Sequence, residues 1–133
     1  MKRTYQGSCH CGAIRFEAAI DLAGGTSRCN CSACRKGRFW KAIVGEDAVR
    51  LLQGEDALVE YRFGSQAIRH FFCRRCGIKP FGRANLPELG PFFAINIACL
   101  DDATDAELAA APVRYEDGVN DAWERPPAET RHL

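Results

Sequence analysis

Apolar and polar residues alternate along most of this chain in short runs, rather than recurring every three or four positions. Ile14, Phe16, Ala18 and Ile20 are interleaved with Arg15, Glu17 and Ala19, a period of two that predicts a half-buried strand. The turn sequence Asp21-Leu22-Ala23-Gly24-Gly25 ends it. Similar runs predict strands over residues 39–44, 58–63, 68–73 and 92–100. Val59, Tyr61 and Phe63 share one face, and Gly64-Ser65-Gln66 offers a turn, so 57–73 reads as a hairpin. Helical periodicity is scarce. The clearest case is 105–111, introduced by Thr104 as N-cap and stopped by Pro112, with a further single turn at 32–36. The pattern predicts a mainly β fold with one short C-terminal helix.

A chain of 133 residues is about the size of one ordinary domain. Residues 1–123 are read as that domain, and 124–133, with Pro126-Pro127, as a loose tail. No apolar run is long enough to span a membrane, and residues 1–8 lack an apolar signal core, so a cytoplasmic protein is expected. In that compartment the eight cysteines stay reduced, and dense cysteine means metal ligation rather than a disulfide framework.

Formal net charge is +1, which argues against a general nucleic-acid binder, but its distribution is uneven. Residues 1–45 carry eight basic against two acidic side chains and 67–83 carry five against none, whereas 84–133 carry three against ten. The positive charge accompanies the cysteines. Seven thiolates around two dications retain three negative charges, and neighbouring cations would moderate them.

The cysteine spacing divides into two chelating pairs and a triplet. Cys9-His10-Cys11-Gly12 and Cys73-Arg74-Arg75-Cys76-Gly77 each place two thiols in one tight turn, followed by a glycine where the chain needs a positive φ. Together the pairs make a tetrahedral Cys₄ set for structural zinc; the competing reading is a pair of buried free thiols. Cys29-Asn30-Cys31-Ser32-Ala33-Cys34 supplies three ligands and no neighbouring fourth. Three ligands and an open position is the catalytic pattern of zinc, and the competing reading is a second Cys₄ site closed by Cys99. His10, His70 and His132 have no compelling place as ligands. Arg35, Lys36, Arg38 and Lys41, mixed with Phe39 and Trp40, form either a solvated face or the rim of a pocket beside the open site.

Three segments resemble the glutathione-dependent formaldehyde-activating enzyme family, a zinc-binding domain also shared with centromere protein V-type domains. They are Gly7-Ser8-Cys9-His10-Cys11-Gly12, Cys29-Asn30-Cys31-Ser32-Ala33-Cys34-Arg35-Lys36 and Phe72-Cys73-Arg74-Arg75-Cys76-Gly77. The resemblance runs from about Tyr5 to Leu100. It implies a tent-like zinc fold of short antiparallel sheets, with Cys9, Cys11, Cys73 and Cys76 on a structural zinc and Cys29, Cys31 and Cys34 on a catalytic one. It further implies a carbon–sulfur lyase that joins glutathione or a related thiol to formaldehyde, with Arg35, Lys36, Arg38 and Trp40 as candidate substrate contacts. The alternative is a non-enzymatic zinc module that binds a thiol adduct, a protein or nucleic acid. Lys79 departs from the pattern, standing where similar sequences often carry His.

Overall fold

Why the strands are short becomes clear from their ends, most of which are tight turns or single helical turns. The computed structural model describes residues 1–133, and ten strands and two α-helices follow one another along the chain. They are β1 (Arg3–Ser8), β2 (Arg15–Ile20), β3 (Thr26–Cys29), α1 (Ser32–Gly37), β4 (Trp40–Gly45), β5 (Val49–Gln53), β6 (Leu58–Tyr61), β7 (Arg69–Cys73), β8 (Phe81–Leu86), β9 (Gly90–Asn96), α2 (Asp105–Ala110) and β10 (Val113–Glu116). The protein is mainly β, as the alternation predicts. No helix is long and apolar enough to cross a membrane.

The strands form two sheets, one of order β1-β2-β5 and a larger one of order β10-β3-β4-β9-β8-β7-β6. Between them lies the main core. Phe16 of β2, fully buried, meets Phe81 of β8 edge to face with ring centroids 5.9 Å apart, and Phe81 meets Phe93 of β9 at 5.3 Å. Each such ring removed from water contributes on the order of 2–3 kcal/mol. The predicted hairpin is present: β6 and β7 pair antiparallel, Leu58 opposite Cys73 and Tyr61 opposite His70.

The run at 92–100, expected as one strand, breaks after Asn96. The Asn96 side-chain oxygen accepts the Ala98 N–H at 3.1 Å, turning 97–99 into a single 3₁₀ turn. Its side-chain nitrogen donates to the Lys79 carbonyl at 2.8 Å. Alternation of Phe93, Ile95 and Ile97 is therefore real, but the strand stops before it ends. Helix α2 is capped by Thr104 as predicted, with a capping box: Thr104 accepts the Glu107 N–H while Glu107 accepts the Thr104 N–H, each at 3.0 Å. Glu107 also receives the Arg3 guanidinium, which clips α2 to β1.

Strand β10 pairs with β3 in parallel, placing Glu116 opposite Cys29, so the larger sheet is mixed rather than wholly antiparallel. This pairing carries a buried charge. Lys41 of β4 donates to Glu116 at 2.7 Å with the two side chains 11% and 9% exposed, and Arg114 adds a second contact at 3.2 Å. Removing one partner of such a pair strands the other charge in a poorly solvated site. Glu116→Ala is expected to lower unfolding free energy by about 3 kcal/mol in urea titrations. A loss below about 1 kcal/mol would mean that Lys41 reaches water in the folded state.

Candidate metal centres

The first cysteine set sits where the two sheets meet. Cys9 immediately follows β1 and Cys11 lies in the turn that leads to β2; Cys73 is the last residue of β7, and Cys76 lies in the turn beyond it. Gly12 and Gly77 hold φ of +81° and +79°, so both turns need the backbone freedom that the Cys-Gly spacing anticipates. The Ile14 N–H points at the Cys9 sulfur at 3.3 Å, and the Arg75 and Cys76 N–H groups point at the Cys73 sulfur at 3.4 and 3.5 Å. Such donors favour ionised sulfur. All four Sγ atoms lie within 4.8 Å of one another, and the Cys9–Cys11 and Cys11–Cys73 separations are both 3.7 Å. A tetrahedron with zinc–sulfur bonds of 2.3 Å has edges of about 3.8 Å. The spacing and the donor chemistry therefore fit a closed tetrahedral site for a thiophilic metal.

The second set is built from β3 and α1. Cys29 ends β3, Cys31 is the N-cap of α1 and Cys34 lies in its first turn. The three sulfurs lie within 4.8 Å of one another, and no other His, Cys, Asp or Glu joins them. Cys99 does not close the set. It is buried in the main core, with its thiol directed at the Lys79 carbonyl 3.8 Å away, and burial pushes that thiol up to about 12. Within the triplet, hydrogen bonds from Cys29 and Cys34 hold the Cys31 thiol far below its ordinary range, while the same contacts, with Cys29 first, push Cys34 up. A cation among them would favour ionisation of all three, and the triplet could offer a metal ion three protein ligands.

Residues after β10 roof this second set. Asn30, between two of the ligands, donates to Asp117 at 2.9 Å and accepts the Val119 N–H at 3.0 Å. Gly118 passes so close that a Cβ there would lie 2.6 Å from the Cys29 sulfur, a space no side chain can share. Beside the sulfurs, a depression is lined by Arg28, Cys29, Cys34, Arg35, Arg38, Phe39 and Leu133. The segment expected as a loose tail returns to this rim, where the Arg38 guanidinium donates to the His132 carbonyl at 3.2 Å.

Residues 4–116 match the sequence profile described as glutathione-dependent formaldehyde-activating enzyme. The chain belongs to that family. A Halomonas elongata protein provisionally named for the same family is 34% identical over 80 residues, which cover 53% of this chain. The match spans 50% of that protein's own length. The crystal structure of a Rhodobacter sphaeroides protein superposes with a TM-score of 0.69 at 29% identity, over 81% of this chain and 98% of that one.

Among the residues considered for substrate contact in this family member, Arg35 and Arg38 stand on the depression beside Cys29 and Cys34, whereas Lys36 and Trp40 lie outside its lining. Lys36 is exposed to solvent. The Trp40 indole donates to the Thr26 hydroxyl at 2.7 Å, with Arg28 over its ring. His10 is exposed in the first chelating turn, and His70 bonds Lys79 instead of a metal cluster. Nothing in the sequence marks Arg28 or Gly118 as part of this site. Only Asn30 left a trace, as the polar residue enclosed between two ligands.

Proposed function

We propose that this chain reversibly joins glutathione to formaldehyde as a zinc-dependent carbon–sulfur lyase, with the reaction at Cys29, Cys31 and Cys34. The observation that carries the reading is a three-sulfur set with no fourth protein donor, opening beside Arg35 and Arg38. Zinc held there would supply a Lewis-acidic position that keeps a substrate thiol ionised near neutral pH, while the Cys9, Cys11, Cys73 and Cys76 zinc would serve the fold alone. The sulfur lone pair of glutathione forms the C–S bond to the formaldehyde carbon. The C=O π pair moves to oxygen, which takes one proton, and the product is S-(hydroxymethyl)glutathione.

The chain's own residues bind and orient. Arg28, Arg35 and Arg38 line the depression and would offer cationic side chains to a tripeptide's two carboxylates at its rim, and Phe39 gives it an apolar wall. Membership of the family supports glutathione and formaldehyde as the pair. A cytoplasmic, reducing setting belongs to the same reading, because seven ligating thiols must escape oxidation.

Thiol and aldehyde also react without a catalyst, so the test must measure acceleration. Exchange NMR between free formaldehyde and its glutathione adduct is expected to show faster interconversion with the zinc-loaded protein, lost on chelation. Equal rates with and without protein would sink the enzyme assignment for this pair.

A further inference from the structure

A groove of about 400 Å³ lies over β10, β3 and β4, three neighbours at one end of the seven-stranded sheet. Gly24 and Gly25, just before β3, border it, and Ser27, Lys41, Ile43 and Arg114 line it. The strand register explains the set. Ser27 stands opposite Arg114 on one side and Lys41 on the other, so the three side chains share a face of the sheet. Ala42, between Lys41 and Ile43, belongs to the main core, so this is the face turned away from it. Cys29, two residues beyond Ser27 on β3, shares that face, which places the groove beside the cysteine triplet.

The groove offers donors and no acid. Lys41 and Arg114 both contact Glu116, at 2.7 and 3.2 Å, so two cations share one carboxylate and one positive charge is left over. The Arg114 side chain is 69% exposed and spends a single N–H contact on Glu116, leaving the rest of its fork for another anion. Ser27 is only 4% exposed, and its hydroxyl bonds no other residue. No side-chain oxygen or nitrogen cut off from solvent lacks a partner in this chain, so the Ser27 hydroxyl opens into the groove it lines. Across β3 from Arg114, the exposed Ile43 supplies an apolar wall. The depression lined by Arg35 and Arg38 is far smaller, about 10 Å³, room for about one water molecule. Its rim can meet one end of a tripeptide, whereas the groove has the volume of a small-ligand site.

We propose that this groove binds the longer carboxylate-bearing arm of the thiol substrate, with Arg114 as its anchor and Ser27 as a second donor. The inference rests on the reaction proposed at Cys29, Cys31 and Cys34, and gives that site a specificity-determining residue far from the cysteine-rich segments. Ser27 and Cys29 are about 7 Å apart along β3, a span that a few covalent bonds cover. The Lys41 and Glu116 pair crosses β3 between them and separates the triplet from the groove. Glutathione carries its thiol on the middle residue, so its two carboxylates lead away from the sulfur along different arms. The short glycyl arm meets Arg35 and Arg38 at the rim of the depression. The γ-glutamyl arm lays its methylene groups along Ile43 and brings its carboxylate to Arg114.

Binding of S-methylglutathione tests this apart from the reaction, because the analogue has both arms and no ionisable thiol. Titrated into the zinc-loaded protein, it is expected to shift the backbone amide NMR signals of Gly24, Gly25, Ser27 and Arg114 together. Arg114→Gln should weaken binding about tenfold, the scale of one lost charge-assisted hydrogen bond, and Ser27→Ala about threefold. Lys41 still pairs Glu116 in the first variant, so its melting temperature should stay within a few degrees of the wild type. The analogue methylated on its γ-glutamyl carboxylate should bind the wild type about tenfold more weakly and lose little more in Arg114→Gln. Shifts confined to residues 35–39, or equal affinity in Arg114→Gln and wild type, would overturn the proposal. Thiol exchange that persists without groove binding would remove the groove alone, whereas groove binding with no accelerated exchange would remove the enzyme reading and leave the groove as a binding site.

Discussion

Cys73→Ser is expected to leave the protein largely unfolded at room temperature. Cys9 and Cys73 are both 2% exposed and form a second, small core with Ile14 and Ala57, so a metal held by the four thiols would supplement a small apolar core at this end of the molecule. The set ties the end of β1, in the three-stranded sheet, to the end of β7, in the seven-stranded one. Structural zinc in a small domain is worth roughly 10–16 kcal/mol of apparent binding energy at neutral pH. Whole domains are stable by only about 5–15 kcal/mol, so losing most of the first is comparable to the whole of the second. Serine also removes the sulfur toward which the Arg75 and Cys76 N–H groups point. Far-UV circular dichroism and zinc stoichiometry check this. A Cys73→Ser protein that melts cooperatively within a few degrees of the wild type would show that packing, not metal, holds the sheets together.

Cys31→Ser is expected to have the opposite signature: retained fold, lost chemistry. Helix α1 contains no buried residue, and the loop around the triplet is held independently by Asn30, Asp117 and the parallel pairing of β3 with β10. Changes in groups that merely support a metal ligand cost about 10–100-fold in affinity or activity, so loss of a direct ligand should cost about a hundredfold or more. Zinc content should fall from two ions toward one while the melting temperature stays within a few degrees. Undiminished exchange between formaldehyde and its glutathione adduct in this variant would remove the triplet from the reaction.

The two variants separate roles that the cysteine spacing already suggests. Two pairs and a triplet are legible because short chelating turns are local: one or two intervening residues suffice to bring two thiols to one ion. Thr104 and the alanine-rich run after it were likewise sufficient to place α2, since a capping box is satisfied within four residues. Strands β2, β4, β6, β7 and β9 were readable for the same reason, their alternation being a property of one segment facing one core. Strands β1, β3, β5, β8 and β10 lay outside those runs; β3 has no strict alternation of buried and exposed residues, and β10 opens on two exposed ones.

The chain by itself determined which thiols can act together, where the chelating turns need glycine, and that the protein is built mainly of strands. Only the tertiary structure decided that Cys99 lies outside both metal sets, that β10 runs parallel to β3, and that Gly118 closes over Cys29. It also decided which basic residues face the triplet. Arg35 and Arg38 border the depression, Lys41 is taken by Glu116, and Lys79 meets His70 away from any carboxylate. The physical reason is the range of the interactions. Chelation, capping and alternation are settled between near neighbours, whereas burial, charge pairing and the roof over a metal site depend on segments dozens of residues apart.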